Sequence, residues 1–423
     1  MRIMKGRKLK GWEIALIVIF VIIIVVLIII LPIILIKNND NNSSEPFSSL
    51  EPISSSLEPI SSSPEPPIDE VNYFGYLDYI PELDSKGIEV ILTNMVDQGF
   101  THIILFAVSS LIKPNEFATL PFCNNELDFP PEDVPIGIAG SLAYWYLLNR
   151  SERFSIKNKL YERGLKKLLL GFGGGSDQSW GYFESGNILG DGLSCLINYF
   201  DLDGIDLDLE GIQNDFSAPP IQGVTKPQIK GKQMVKYISD IMKRLKFNIK
   251  SILITTAPQP LYFALGCNCG DNSTKNGYVS VCEEAGDALD FVLTQFYNQT
   301  DNPNDCTSFT NYDFLFNPND LSTCYNYSQL IKLKGDLNIG IPINKMIVGK
   351  PVSPNNPFSF SLGYVNPIEL SSMLCNAKKN FKDFIENYNI NLMLYAYNES
   401  SNSSDGPKFL PNFINSLKKN CFT

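Results

Sequence analysis

The stretch "DLDGIDLDLEG", Asp201 to Gly211, alternates acidic residues with isoleucine, leucine and glycine. A β-strand has a side-chain period of two. Asp206, Asp208 and Glu210 therefore project from one face, while Ile205, Leu207 and Leu209 project from the other. Like charges crowded this way cannot all ionise cheaply, so at least one carboxyl keeps its proton near neutral pH and becomes a proton donor. A calcium loop needs Asp-x-Asp-x-Asp-Gly with a glutamate further on, a template this run fails. The apolar face marks a strand packed on a core, and the acidic face marks a site.

Around this run the chain alternates strands and helices. "VNYFGYL" (71–77) and "THIILFAV" (101–108) read as strands, and between them Ile88, Ile91, Leu92 and Met95 recur at helical spacing. "KKLLLGFGG" (166–174) comes next, and then the acidic strand itself, followed by a helix with Met234, Ile238, Ile241, Met242 and Leu245 on one face. "SILITTAP" (251–258), "DFVLTQFYN" (290–298), "KMIVGKPV" (345–352) and "INLMLYAY" (390–397) bring the strand candidates to eight. Apolar strands separated by helices call for a parallel sheet covered on both faces, and eight of them favour an α/β fold closed as a (β/α)8 TIM barrel. The carboxylates then fall at the C-terminal end of the fourth strand, where such barrels build their sites.

The flanks read differently. A basic tail (1–10) precedes the segment 11–37, whose uncharged apolar run at 14–36 is long enough to span a bilayer as a single transmembrane helix. Arg2, Lys5, Arg7, Lys8 and Lys10 lie before the run, which places the N-terminus in the cytoplasm and makes the chain a type II, single-pass membrane protein anchored in lipid. Residues 38–70 are rich in Ser, Pro and Glu and read as a disordered stalk, leaving 71–423 as the extracellular or lumenal domain. The first ten residues carry five positive charges of a formal total of −11, which leaves −16 for the rest and excludes nucleic acid as a partner. All nine cysteines lie in 71–423, so disulfides are expected, with Cys306–Cys324 and two of Cys267, Cys269 and Cys282 as the favoured pairs. Cys195, inside "LSCLINYF", reads as a buried core thiol. Sequons stand at Asn149, Asn272, Asn298, Asn326, Asn398 and Asn402. No feature of the sequence fixes an oligomeric state.

His102 is the sole histidine and lies within the second strand, so histidine-based nucleophilic catalysis and histidine metal sites have little to work with. No metal or organic cofactor is called for. Clustered carboxyls with one retained proton are what glycosidic bond cleavage needs.

"DGIDLDLE" resembles the Asp-x-x-Asp-x-Asp-x-Glu signature of glycoside hydrolase family 18 through Asp203, Asp206, Asp208 and Glu210. "LLLGFGGG" is similar to the family's third-strand Ser-x-Gly-Gly motif, and "TTAPQP" and "TQFYNQT" resemble the fifth and sixth strands of the class III chitinases. The resemblance covers roughly 71–420. It implies a retaining mechanism in which Glu210 protonates the leaving oxygen and the substrate's own 2-acetamido oxygen attacks. Asp208 is implied to orient the acetamido group, Asp206 to share a proton with Asp208, and Tyr297 to hold the acetamido carbonyl. Gln295, Asn298, Tyr395, Gly173 and Gly174 are the implied substrate-binding residues, with Asp203 structural. Asn298 would lie at the rim of the site and is expected unglycosylated. Two departures stand out: Gly171 replaces the motif serine, and Tyr395 replaces a tryptophan that usually floors the site.

Three readings follow. The first is an endo-acting chitinase cleaving β-1,4 bonds of chitin or another N-acetylglucosamine (GlcNAc)-containing glycan. The second is an inactive glycan-binding lectin on the same barrel, and the third an endo-β-N-acetylglucosaminidase acting on N-glycans. Retention of Glu210 beside Asp206, Asp208 and Tyr297 favours an enzyme over a lectin.

Overall fold

A computed structural model describes residues 71–78, 85–108, 137–175, 185–210, 229–267, 270–297, 309–317, 325–354, 363–380, 390–395, 397 and 406–421. The basic tail, the apolar 14–36 run and the stalk lie outside the described residues, as do Asn298 and the cysteines at 306 and 324. Among the described residues no helix is long and apolar enough to cross a membrane.

In chain order the elements are β1 (Tyr73–Leu77), α1 (Ser85–Asp97), β2 (His102–Val108), α2 (Gly140–Tyr146), α3 (Arg150–Glu162), β3 (Lys167–Gly173), α4 (Gly186–Tyr199), β4 (Gly204–Asp208) and α5 (Lys232–Asn248). Then follow β5 (Leu253–Thr256), α6 (Pro260–Ala264), α7 (Gly277–Ala285), β6 (Phe291–Gln295), α8 (Tyr312–Phe316), α9 (Tyr327–Leu330), β7 (Met346–Pro351), α10 (Pro367–Asn380), β8 (Leu392–Tyr395) and α11 (Gly406–Cys421). The eight strands are all parallel and pair in sequence order, with β8 closing on β1 through Phe74 opposite Met393. This is the (β/α)8 barrel.

The period of two sorts each strand into two cores. Phe74, Tyr76, Ile104, Leu169, Leu293, Ile347 and Met393 pack inside the barrel. Ile103, Leu105, Leu168, Leu170, Ile205, Leu207 and Val348 point outward against the helices. The helical faces legible in the sequence meet them there: Ile88, Leu92 and Met95 on α1, and Met234, Ile238, Ile241, Met242 and Leu245 on α5, are buried. His102 starts β2 as a buried ring stacked on Phe74 at 4.3 Å, and burial pushes its pKa down to about 3. It is a neutral packing residue.

One cysteine expectation is corrected. Cys195, only partly buried on α4, is disulfide-bonded rather than a core thiol. Cys282 is the free, buried thiol, while Cys267 of the same cluster is disulfide-bonded. Cys375 pairs with Cys421, tying α10 to α11, with Cα atoms 5.4 Å apart. Asn326 is also reassigned. It is fully buried, caps α9, and its Nδ2 donates to the Asn317 carbonyl, so the nitrogen a glycan would need is already engaged. The sequon pattern there overlaps a capping box, in which Asn326 and Gln329 cap each other's backbone N–H groups.

Candidate active site

The polar residues of the barrel interior gather at the C-terminal ends of β1, β4, β5, β6 and β8. Register puts them there: Asp206 pairs with Gly171 of β3 on one side and with Thr255 of β5 on the other, and Asp208 pairs with Gly173. Gly173 has φ +104, and a Cβ on it would lie 2.2 Å from the Asp208 carbonyl, so only glycine lets β3 run this close to the acidic strand. The neighbouring Gly174 N–H donates to that carbonyl at 2.8 Å. Gly173 and Gly174 thus shape the backbone beside Asp208.

Asp206 has no exposed surface. Tyr76 donates its hydroxyl to Asp206 Oδ2, and Thr255 Oγ1 donates to Oδ1 at 2.5 Å. Burial raises the Asp206 pKa to about 6, opposed by these two donors. Burial also keeps the Tyr76 phenol protonated well above its ordinary range, so it remains a donor.

Asp208 turns to another partner. Gln295 Nε2 donates to Asp208 Oδ1 at 2.8 Å and to the Ala257 carbonyl at 2.7 Å, and reaches Glu210 Oε1 at 3.4 Å. One buried amide therefore spans both carboxyls. Burial, then the charges of Glu210, Asp206 and Asp78, push the Asp208 pKa well up, against the Gln295 hydrogen bond. Glu210 is raised in the same direction by burial. Each Asp206 oxygen has a hydroxyl donor, Tyr76 on Oδ2 and Thr255 on Oδ1. Among the neighbouring charges, that of Glu210 acts most strongly on Asp208, ahead of Asp206.

Tyr297 is buried, and its phenol is held far above its ordinary value by burial and by Tyr395, Asp208, Glu210 and Asp206. Tyr395 at the end of β8 lies parallel to it, rings 5.4 Å apart and 17° from coplanar. Asp203 is set apart from this group at the other end of β4. It accepts from Leu168 N at 2.8 Å and Tyr161 Oη at 2.6 Å, and pairs with Lys157 at 2.8 Å. Asn298 lies outside the described residues.

Three members were not identified from the sequence: Tyr76, Asp78 and Thr255. Asp78 follows β1, accepts from the Tyr395 hydroxyl at 3.4 Å and acts electrostatically on Asp208. The available signal was the period of two in "YFGYLDY", which puts Tyr76 and Asp78 on one face of the first strand.

Gly171 is explained by packing. A Cβ there would lie 2.5 Å from the Phe106 ring and 3.1 Å from the Leu105 carbonyl. The aromatic ring fills the place of the missing serine, and Tyr76 and Thr255 supply hydroxyls to Asp206 in its stead.

No family model matches the chain. Over 113 residues it is 27% identical to Chitinase ChiA of Flavobacterium johnsoniae, a stretch that covers 26% of this chain and 7% of that protein. The crystal structure of a GH18 chitinase from Pseudoalteromonas aurantia matches with a TM-score of 0.50 at 18% identity, over 82% of this chain and 100% of that one. A family GH18 chitinase from Chromobacterium violaceum follows, with a TM-score of 0.49 at 14% identity, covering 82% and 83% of the two chains. In its barrel the chain is similar to a GH18 chitinase, and over that quarter of its sequence to a chitinase.

Proposed function

We propose that the chain is a retaining glycoside hydrolase of the chitinase type, cleaving β-1,4 bonds that follow N-acetylglucosamine. The observation that carries this reading is the buried Gln295 amide spanning Asp208 and Glu210, together with the stacked pair Tyr297 and Tyr395. Glu210, with its pKa raised, keeps a proton for the leaving oxygen. Asp208, anchored by Gln295, accepts from the acetamido N–H and offsets the positive charge of the oxazolinium ion. The protonated Tyr297 donates to the acetamido carbonyl and aims its oxygen at the anomeric carbon. The substrate is itself the nucleophile, so no second carboxylate need lie across the sugar.

The test is hydrolysis of a fluorogenic chitotrioside by the full chain and by Glu210→Gln. The native protein is expected to turn over and the variant to lose about 10²-fold or more of its rate, the range of general acid catalysis. A lectin gives binding by both proteins and turnover by neither. Activity on an N-glycan core but not on chitotrioside identifies the endo-β-N-acetylglucosaminidase reading.

A further inference from the structure

Lys350, one residue before the end of β7, has no exposed surface. Among the described residues no carboxylate is paired with it; its Nζ donates to the carbonyls of Phe296 at 2.9 Å, Phe309 at 2.7 Å and Gly363 at 3.2 Å. Burial pushes its pKa well down, which makes a lysine costly here, whereas a methionine would fill similar volume without that cost. What lysine brings is number: an ammonium has three N–H donors, and three carbonyls converge on it.

Those carbonyls belong to segments far apart in sequence that meet around one residue. Phe296 directly precedes Tyr297. Gly363, at φ +98, backs onto the same residue: a Cβ there would lie 2.9 Å from Tyr297 Cα and 3.0 Å from the Phe296 carbonyl and Tyr297 Cβ. Phe309 packs its ring edge-on against Phe296 at 5.0 Å and lies under the Lys350 ammonium at 5.9 Å. Tyr297 lies two residues beyond the end of β6.

We propose that Lys350 is a positioning residue, its ammonium drawing these three backbone segments together and so fixing Tyr297 over the acidic cluster. The clamp stands on its own geometry. Its consequence for turnover rests on the chitinase reading above.

The experiment compares the full chain with Lys350→Met by chitotrioside kinetics and by amide hydrogen exchange. The expected result is a fall in kcat of about tenfold to 10²-fold with KM changed less than about threefold, since misplacement by about 1 Å costs that much. Exchange should quicken in 291–297 and 363–366 and stay unchanged in β1 and β4. Gly363→Ala, which presses a methyl onto Tyr297 and leaves the lysine in place, should give the same kinetic split and serves if Lys350→Met does not fold.

Unchanged kcat in both variants overturns the positioning role, and so does exchange that quickens uniformly across the barrel. If the native chain does not hydrolyse chitotrioside, the chitinase reading fails. Exchange alone then decides the clamp: local quickening supports it, and no change overturns it.

Discussion

Asp206 is a buried carboxyl whose titration leaves a mark on stability. An unfolded aspartate titrates near about 3.9, whereas Asp206 in the folded protein titrates at about 6 because it is buried, even with Tyr76 and Thr255 donating to it. Between these values the folded state binds the extra proton. The contribution is therefore fully present below about pH 4 and is lost as pH rises through 6, on the order of 3 kcal/mol in all. Asp208, raised by burial and by Glu210, Asp206 and Asp78, acts in the same direction. An asparagine cannot ionise, so the Tm of Asp206→Asn relative to the native protein should climb from pH 4 to pH 7. A Tm difference that stays flat over that range contradicts the raised pKa. The acids themselves were legible because alternation put Asp206, Asp208 and Glu210 on one face. Their partners were harder to see, since two hydroxyls from distant strands give no local signal until the barrel brings β1 and β5 to either side of the interior.

At the level of elements, the strands were readable as eight apolar runs, and α1 and α5 from their single apolar faces. Periodicity reports which face of an element meets the core, and both layers of a (β/α)8 barrel are made that way. It does not report what a neighbouring strand puts opposite a given position. Gly171 illustrates this: from its position alone it reads as a lost serine, while in the fold the Phe106 ring from β2 fills that space. Restoring the serine by Gly171→Ser is therefore expected to destabilise the protein by about 1–3 kcal/mol, the usual cost of overpacking, and not to raise activity. Chemical denaturation of the variant checks this, and a neutral or stabilising result contradicts the packing account. The sequence motif at Asn326 misled for a related reason. A helix N-cap and a glycosylation sequon both start on asparagine, and at 326 burial and the capping box with Gln329 tell them apart.

Across the whole molecule, closure of β8 on β1 brings Tyr395 to Tyr76 and Asp78 and completes the wall of the site. The last two described helices, α10 and α11, flank that closure and are joined by Cys375–Cys421 across 46 residues. Nothing in the spacing of these two cysteines singled them out, because their sulfurs meet only once the helices pack. A crosslink closing a loop of this length contributes about 2–4 kcal/mol by restricting the unfolded chain. The double variant Cys375→Ser, Cys421→Ser should melt several degrees lower while keeping its activity, since neither residue reaches the site. An unchanged Tm shows the crosslink adding nothing to the barrel, and lost activity shows barrel closure at β8 depending on it.

In the proposed reaction Glu210 gives a proton while the substrate's own acetamido group attacks, and the anomeric configuration of the first product reports on that attack. Proton NMR of chitooligosaccharide hydrolysis by the full chain should show the β anomer forming first and the α anomer growing in only by mutarotation, with Glu210→Gln forming neither at a comparable rate. An α anomer formed first, or a Glu210→Gln variant as fast as the native chain, contradicts the account.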